Sequence, residues 1–156
     1  MHPLNKSRAN VARNHRECVL DKKILCATDG TSHADKAVEL ASELAARSGA
    51  ELHICTVNVM RGGARAPFIP SLADKEVDQI LNHAADVAKK AGVTPAHKVA
   101  LLGRDIAGSI VQYCETHNCD HVVTGTGDKH GISRLVLGSV ASEIVSKAHC
   151  TVTVAR

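Results

Sequence analysis

The stretch KKILCATDGTSHADKAVELA, residues Lys22–Ala41, changes its hydrophobic period halfway along and thereby predicts the fold. It begins with a short apolar run, which is typical of a buried strand. Beyond it, apolar residues recur at helical spacing, at Ala34, Ala37, Val38, Ala41, Leu44 and Ala45. We expect Ser32 to cap this helix with Asp35 as the acidic partner of a capping box, and Gly49 to end it. The stretch predicts a strand, a tight turn and an amphipathic helix.

The same alternation of strand and helix continues to the end of the chain. Further strands are predicted at 51–59, 97–103, 120–127 and 150–155. Helices are predicted at about 73–91, 105–117 and 138–147, and the Gly-, Pro- and Arg-rich segment 60–74 is predicted to be a mobile loop. The strands are continuously apolar, which is typical of a parallel sheet covered on both faces. We therefore predict an α/β fold with an open sheet of five parallel strands and helices on both faces, a three-layer sandwich.

Charge divides the chain into two parts. Residues 1–23 carry six basic and two acidic side chains, a net charge of +4, whereas the other 133 residues carry 13 basic and 14 acidic ones, a net charge of −1. We expect residues 1–21 to be a basic, flexible N-terminal extension and residues 22–156 to be the folded domain. A nearly neutral domain with one Tyr, one Phe and no Trp predicts no nucleic-acid partner, because it lacks both a basic surface and stacking platforms.

The six cysteines do not form a recognisable disulfide framework. Cys26, Cys55 and Cys150 lie within or beside apolar runs, where a free thiol acts as a small hydrophobic side chain. The sequence shows no secretory signal and no apolar span of about 18 residues. We therefore expect a cytoplasmic protein with no membrane partner.

The segment YCETHNCDH, residues 113–121, gathers four residue types that can bind zinc: Cys114, His117, Cys119 and His121. Their spacing matches no standard zinc motif. They are predicted to lie on a helix, at its end and on the next strand, so that their side chains point in different directions. We favour a structural role for them and expect no metal site.

Two loops are the candidates for a ligand site, because ligands of open parallel sheets bind beyond the carboxyl ends of the strands where strand order reverses. They are TDGTS, residues 28–32, and GTGDKHGISRLVLGS, residues 125–139, which follow the first and fourth predicted strands. In the first loop, Asp29 can accept hydrogen bonds from ribose hydroxyls. The alternative is that Asp29 and Gly30 only form a turn before Thr31 or Ser32 caps the helix.

The second loop combines glycines with the start of a helix. Gly125 and Gly127 allow the backbone to approach a ligand closely. Gly138 and Ser139 open the helix, whose first N–H groups attract anions such as phosphate. The alternative is that the glycines only make the bend between strand and helix, as in many α/β proteins.

Residues Lys22 to Arg156 resemble the universal stress protein family. The resemblance lies in ILCATDGTSHADKAVELA (24–41), ELHICTV (51–57) and the long stretch from VVTGTG to the C-terminus (122–156). It implies a Rossmann-like domain of five parallel strands that usually forms a homodimer. The family includes members that bind ATP and members that do not.

The ATP-binding pattern of that family resembles Gly, two residues, Gly, nine residues, and Gly followed by Ser or Thr. Gly125 and the pair Gly138-Ser139 match it, but Asp128 replaces the middle glycine. By the same resemblance Asp29 would hold ribose and the backbone of Val57 would meet adenine. The complete set of predicted nucleotide-binding residues is Ala27, Thr28, Asp29, Val57, Thr124, Gly125, Gly127, Asp128, Gly138, Ser139 and Val140.

Asp128 opposes this site electrostatically. A carboxylate ~4 Å from a phosphate costs about 4 kcal/mol at an effective dielectric constant of about 20, close to three decades of affinity. The basic residues Lys129, His130 and Arg134 nearby, and a Mg²⁺ ion shared between Asp128 and the phosphates, would reduce that cost. We expect AMP or ADP to be less penalised than ATP.

The sequence thus predicts a cytoplasmic stress-response protein that binds ATP or a related adenine nucleotide and acts by binding, not turnover. The C-terminal strand CTVTVA, residues 150–155, is the predicted homodimer edge. The alternative is a dimeric interaction adaptor that has lost the nucleotide. Slow ATP hydrolysis would need a water-positioning group that the sequence does not disclose.

Overall fold

The computed structural model describes residues 21–127 and 137–156. The predicted extension at residues 1–21, apart from residue 21, and Asp128 lie outside this part of the chain. The strands are β1 (Lys23–Ala27), β2 (Glu51–Gly63), β3 (Ala66–Pro70), β4 (His97–Gly103), β5 (His121–Gly125) and β6 (Thr151–Ala155). The helices are α1 (Ser32–Ser48), α2 (Asp74–Lys90), α3 (Ile106–Thr116) and α4 (Ser139–Lys147). None of these helices combines the length and the apolar character needed to span a bilayer.

Five parallel strands form the central sheet in the order β4-β2-β1-β5-β6. The order reverses at β1, which pairs with β2 on one side and with β5 on the other. The loops after β1 and β5 therefore leave the same end of the sheet at its topological switch point. The predicted α/β class and the parallel sheet are confirmed, and β5 is the strand that the sequence analysis places fourth.

The segment 60–74 differs from the prediction, because most of it is a β-hairpin and not a loop. β2 continues to Gly63, and β3 pairs with it in antiparallel register, with Met60 opposite Pro70 and Arg61 opposite Ile69. The side-chain amide of Asn58 closes the hairpin by donating to the carbonyl of Leu72 at 2.8 Å and accepting from its N–H at 2.9 Å. Glycine and proline predict loops from local preference, but here long-range pairing decides. The sheet consequently has six strands.

The core consists of two layers, one on each face of the sheet. Neighbouring residues of β1 show why its sequence does not alternate: Ile24 packs into the layer with α1 and α2, and Leu25 into the opposite layer with α3 and α4. Both are fully buried. Ile54 and Cys55 of β2 divide between the layers in the same way. Small residues such as Ala37 and Ala41 let α1 approach the sheet closely.

Helix α1 begins one residue earlier than a cap at Ser32 would require. Thr31 is the N-cap, and its hydroxyl accepts a hydrogen bond from the N–H of Ala34 at 3.3 Å. The predicted cap at Ser32 is wrong because Asp29 Oδ1 accepts from both the N–H and the hydroxyl of Thr31, which fixes the turn there. Asp35, predicted to complete a capping box, contacts His83 of α2 at 3.0 Å instead. Gly49 ends the helix in a left-handed conformation, as predicted.

Candidate functional site

A cavity of about 320 Å³ lies at the carboxyl ends of β1 and β5. This volume falls within the range of small-molecule sites, about 300–1,000 Å³. Its wall comes from the β1–α1 turn, the middle of β2, the end of β5, and the first turns of α3 and α4. The fold thus places a ligand-sized space at the switch point.

Ten of the eleven predicted binding residues line this one cavity. They are Ala27, Thr28, Asp29, Val57, Thr124, Gly125, Gly127, Gly138, Ser139 and Val140. The eleventh, Asp128, lies outside the described residues. Residues that are more than 100 positions apart in the chain therefore share one wall.

A backbone hydrogen bond on the cavity wall holds together the residues on either side of the segment 128–136. The N–H of Gly138 donates to the carbonyl of Thr126 at 2.9 Å. A Cβ on Gly138 would come within 2.2 Å of that oxygen, so only glycine fits without a backbone shift. Gly127 has a φ of 75°, a left-handed conformation that favours glycine. Gly127 and Gly138 therefore lie next to each other on the cavity wall.

The N-terminus of α4 lies on the cavity wall. Gly138 is the N-cap, and within the described residues no side-chain oxygen accepts from the first turn. The first N–H groups of a helix have no intrahelical partner and carry partial positive charge. Ser139, Val140 and Ala141, which begin α4, all lie on the cavity wall. This part of the wall is suited to an anion.

Asp29 lies on the cavity wall at the end of β1. Its Oδ1 atom accepts from Thr31, from the N–H at 3.0 Å and from the hydroxyl at 2.7 Å. These bonds fix the orientation of the carboxylate, and its Oδ2 retains the capacity to accept from a ligand hydroxyl. The two predicted roles of Asp29, in the turn and in ligand binding, are therefore compatible, because each uses a different carboxylate oxygen.

The remaining wall is largely apolar. Ile106 and Ile110 of α3 face the cavity together with Cys55 and Val57 of β2 and Val140 of α4. Among the described lining residues, none is a Lys or an Arg. Backbone amides, and not basic side chains of this part of the wall, must therefore offset the charge of an anion.

Comparison with known proteins agrees with this architecture. The model of the universal stress protein family matches residues 21–156. The chain belongs to this family. A universal stress protein of Methanocaldococcus jannaschii is 32% identical over 143 residues, which cover 88% of this chain and 83% of that protein.

Two solved structures of universal stress proteins share the fold. One, in complex with cAMP, has a TM-score of 0.72 and 23% identity and covers 88% of this chain and 98% of its own. The other, from Archaeoglobus fulgidus in complex with dAMP, has a TM-score of 0.61 and 21% identity and covers 88% of this chain and 99% of its own. At such identities the match establishes the shared architecture.

Several lining residues of this universal stress protein were not predicted from its sequence. They are Thr31, His33, Ala34, Cys55, Thr56, Ile106, Ile110, Thr126 and Ala141. Ile106 and Ile110 are four residues apart on α3, a spacing that predicts a shared helix face but not what that face contacts. The contact with the cavity depends on how α3 packs on the sheet, which periodicity does not specify.

Three of the four side chains considered as zinc ligands, those of His121, His117 and Cys114, have identified contacts in the universal stress protein. His121 contacts Asp21 at 2.7 Å and the hydroxyl of Thr153 at 2.8 Å. The ring of His117 stacks on Tyr113 at a centroid distance of 3.8 Å. Cys114 lies 3.3 Å from Cys150, sulfur to sulfur, and its thiol also contacts the backbone carbonyl of Cys119. These contacts are packing and hydrogen-bonding contacts, and the structural role of the four residues stays a prediction.

Three thiols of the universal stress protein have pKa values well above the ordinary value of a cysteine. Burial raises the pKa of Cys55 to about 12 and that of Cys26 further above its ordinary value. Burial, together with the contact with Cys114, also raises the pKa of Cys150 to about 12. Because the thiolate is the reactive form, Cys55 on the cavity wall offers no nucleophile at neutral pH.

Proposed function

We propose that this universal stress protein binds an adenine nucleotide in the cavity between β1 and β5 and acts through binding. One observation carries the proposal: the N-terminus of α4, which no side chain of the described residues caps, and the carboxylate of Asp29 line the same cavity. The first attracts phosphate and the second accepts from sugar hydroxyls. A nucleotide carries both groups in one molecule.

In the proposed complex, the phosphate group of the nucleotide lies against the start of α4. The glycine at 138 brings the backbone close to the ligand, and Ser139 adds an exposed hydroxyl to the amides. The positive end of a helix stabilises a negative charge by about 0.3–1 kcal/mol at exposed sites and by up to about 2 kcal/mol when partly buried. Because this gain is modest, the described wall suits a nucleotide with one phosphate better than a nucleotide with three.

The base end lies over β2. The carbonyl of Cys55 accepts from the N–H of Thr28 at 2.9 Å, so the backbone groups of Cys55 face β1. Backbone groups alternate in direction along a strand, and those of Val57 therefore face the same side. β1 ends at Ala27, opposite Cys55, so Val57 lies beyond the paired region. In the proposed complex, the N–H and carbonyl of Val57 recognise the edge of the adenine, and Ile106 and Ile110 cover the adenine ring.

The solved relatives support adenine as the base, since their ligands are cAMP and dAMP. Both carry a single phosphate, which agrees with the modest anion capacity of the described wall. Asp128 disfavours a triphosphate further by charge repulsion. We propose that AMP-type ligands bind in preference to ATP, and that any Mg²⁺ requirement appears only with ADP or ATP.

The C-terminal strand supports a homodimer as part of the proposal. β6 pairs with β5 and forms the end of the sheet, with Thr151 exposed and Val152, Thr153 and Val154 half-buried. Among the described residues β6 pairs on one side only, and an unpaired strand edge favours pairing with another chain. A homodimer formed through β6 is compatible both with the cytoplasmic nucleotide-binding role and with the adaptor role.

Calorimetric titration of the full chain with adenosine, AMP, cAMP, ADP and ATP, with and without Mg²⁺, tests the nucleotide proposal. We expect saturable binding of AMP or cAMP, weaker binding of adenosine, and Asp29→Asn to weaken AMP by about tenfold or more, since hydrogen bonds to charged groups contribute about 1.5–3 kcal/mol. Asp86→Asn, on an exposed position of α2, is the matched control. Absence of binding at millimolar nucleotide would favour the adaptor, and binding insensitive to Asp29→Asn would place the ligand elsewhere.

A further inference from the structure

A second group of ligating side chains lies at the opposite end of the sheet from the cavity. Glu51 and His53 begin β2, and His97 begins β4. His53 pairs in register with His97, and Glu51 is two residues from His53, so the three side chains share one face of the sheet. Their ligating atoms all lie within 4.8 Å of one another.

His53 is the buried member of this group. It is 8% exposed, and its Nε2 atom is buried without a hydrogen-bond partner among the described residues. Its other ring nitrogen, Nδ1, lies 2.8 Å from the hydroxyl of Tyr113. When Nδ1–H donates to that hydroxyl, Nε2 presents its lone pair to Glu51 and His97. An imidazole held by a second hydrogen bond in this way is the usual arrangement of a metal-bound histidine.

The distances agree with coordination of a small divalent ion. Nε2 of His53 lies 3.6 Å from Oε2 of Glu51. Two ligands at bond lengths of about 2.0–2.1 Å in a tetrahedral site are separated by about 3.4 Å. The ring of His97 lies 4.7 Å from that of His53, centroid to centroid. Glu51 and His97 are exposed, and so small rotations of their side chains suffice to complete the site.

A bound cation would take the place of Lys23 beside Glu51. Nζ of Lys23 lies 3.8 Å from Oε2 of Glu51 and donates to the carbonyl of His117 at 3.1 Å. Lys23 keeps the carbonyl of His117 as a hydrogen-bond partner when an ion replaces it at Glu51. An ion that binds Glu51 replaces an exposed ion pair, which contributes only about 0–1 kcal/mol.

We propose that Glu51, His53 and His97 form a binding site for a divalent transition-metal ion of the zinc class. Two imidazoles and one carboxylate suit zinc and leave a fourth position for water. Such an ion would join the start of β2 to the start of β4. This site is independent of the proposed nucleotide cavity, because it lies at the amino ends of the strands.

The single tyrosine gives the test its readout, because the chain has no tryptophan. Nucleotide-free full-length protein is titrated with ZnCl₂ against a chromophoric chelator while the fluorescence of Tyr113 is recorded. We expect one equivalent to bind and to change the tyrosine signal. His97→Gln and Glu51→Gln should each weaken binding by about 100-fold or more, since even losing a group that only orients a ligand typically costs 10–100-fold. His83→Gln, an exposed histidine paired with Asp35, should leave it unchanged.

Two results would overturn the proposal. The first is zinc affinity that is equal in the wild type and in the His97→Gln and Glu51→Gln proteins. The second is binding that these variants retain and Cys114→Ser abolishes, which would assign the metal to the thiols. Both variants replace exposed side chains, and circular dichroism and the thermal midpoint of each confirm that the comparison is made on folded protein.

Discussion

The carbonyl oxygen of Thr126 accepts a hydrogen bond from the N–H of Gly138, at a distance of 2.9 Å. This bond joins the end of β5 to the start of α4 across the segment 128–136. It also directs the first turn of α4 toward the cavity, because Gly138 is the N-cap of that helix. This backbone contact therefore helps to orient the wall that we propose binds an anion.

Gly138→Ala should disrupt this contact, because the new Cβ would lie 2.2 Å from the Thr126 oxygen and the backbone must move. We expect AMP affinity to fall by tenfold or more and stability to fall by about 1–3 kcal/mol, as in overpacked sites. Titration calorimetry and urea unfolding measure the two effects. Gly63→Ala is the control, since a Cβ there meets no atom within 4 Å. Unchanged AMP affinity in Gly138→Ala would show that nucleotide binding does not require the contact between Thr126 and Gly138.

Asp128→Gly should restore the glycine of the family pattern and remove a negative charge. If the carboxylate opposes phosphate, ATP should bind more tightly, by up to about three decades at ~4 Å separation, and AMP by less. Thermal shifts at fixed nucleotide concentration rank the two ligands, because stabilisation follows the ratio of free ligand to dissociation constant. Weaker ATP binding in this variant would instead make Asp128 a contact to metal or ribose.

Ile54→Ala should destabilise the domain by about 2–5 kcal/mol. Ile54 is fully buried in β2, in the core layer with α1 and α2, so truncating its side chain leaves a cavity in that layer. Ile69→Ala on β3 removes the same atoms from a residue that is 60% exposed, and should change stability by no more than about 0.5 kcal/mol. Urea unfolding of both proteins measures the difference. Equal effects would contradict the described division between core and hairpin.

Peroxide should link Cys114 to Cys150, because their sulfur atoms are 3.3 Å apart and a disulfide needs about 2.05 Å. One thiolate attacks the peroxide, giving a sulfenic acid and a first water, and the other thiol condenses with it and releases a second water. The pKa of Cys150, raised to about 12 by burial and by Cys114, makes this slow at neutral pH and faster as pH rises. Peptide mass spectrometry identifies the bond.

Two variant proteins, analysed in the same way, test whether the cross-link joins Cys114 and Cys150 specifically. Cys150→Ser should abolish the cross-link, whereas Cys119→Ser should retain it. Cys26 and Cys55 should resist alkylation in the folded protein, since both are fully buried. A cross-link that involves either of them under native conditions would contradict the described packing.

Local pattern predicted much of the fold and of the cavity wall. The change of period at Ser32 and the continuous apolar strands were sufficient for the α/β class, because a buried parallel strand and an amphipathic helix have different periods. Placement at a switch point followed from the known behaviour of such sheets, and the described members of the predicted set lie there. The cap of α1 was misplaced by one residue because Asp29 and Thr31 compete with Ser32 through side-chain hydrogen bonds.

The sequence by itself determined the order of strands and helices, the parallel sheet and the loops that meet at its switch point, since these depend on periodicity and on contacts between neighbouring elements. Only the tertiary structure decided the β2–β3 hairpin, the coverage of the cavity by α3 and the meeting of His53 with His97. Those features depend on pairing between segments that are distant in the chain, and the residues involved carry no local signal of their partners. Register across the sheet, which is set by the whole packed core, brings them together.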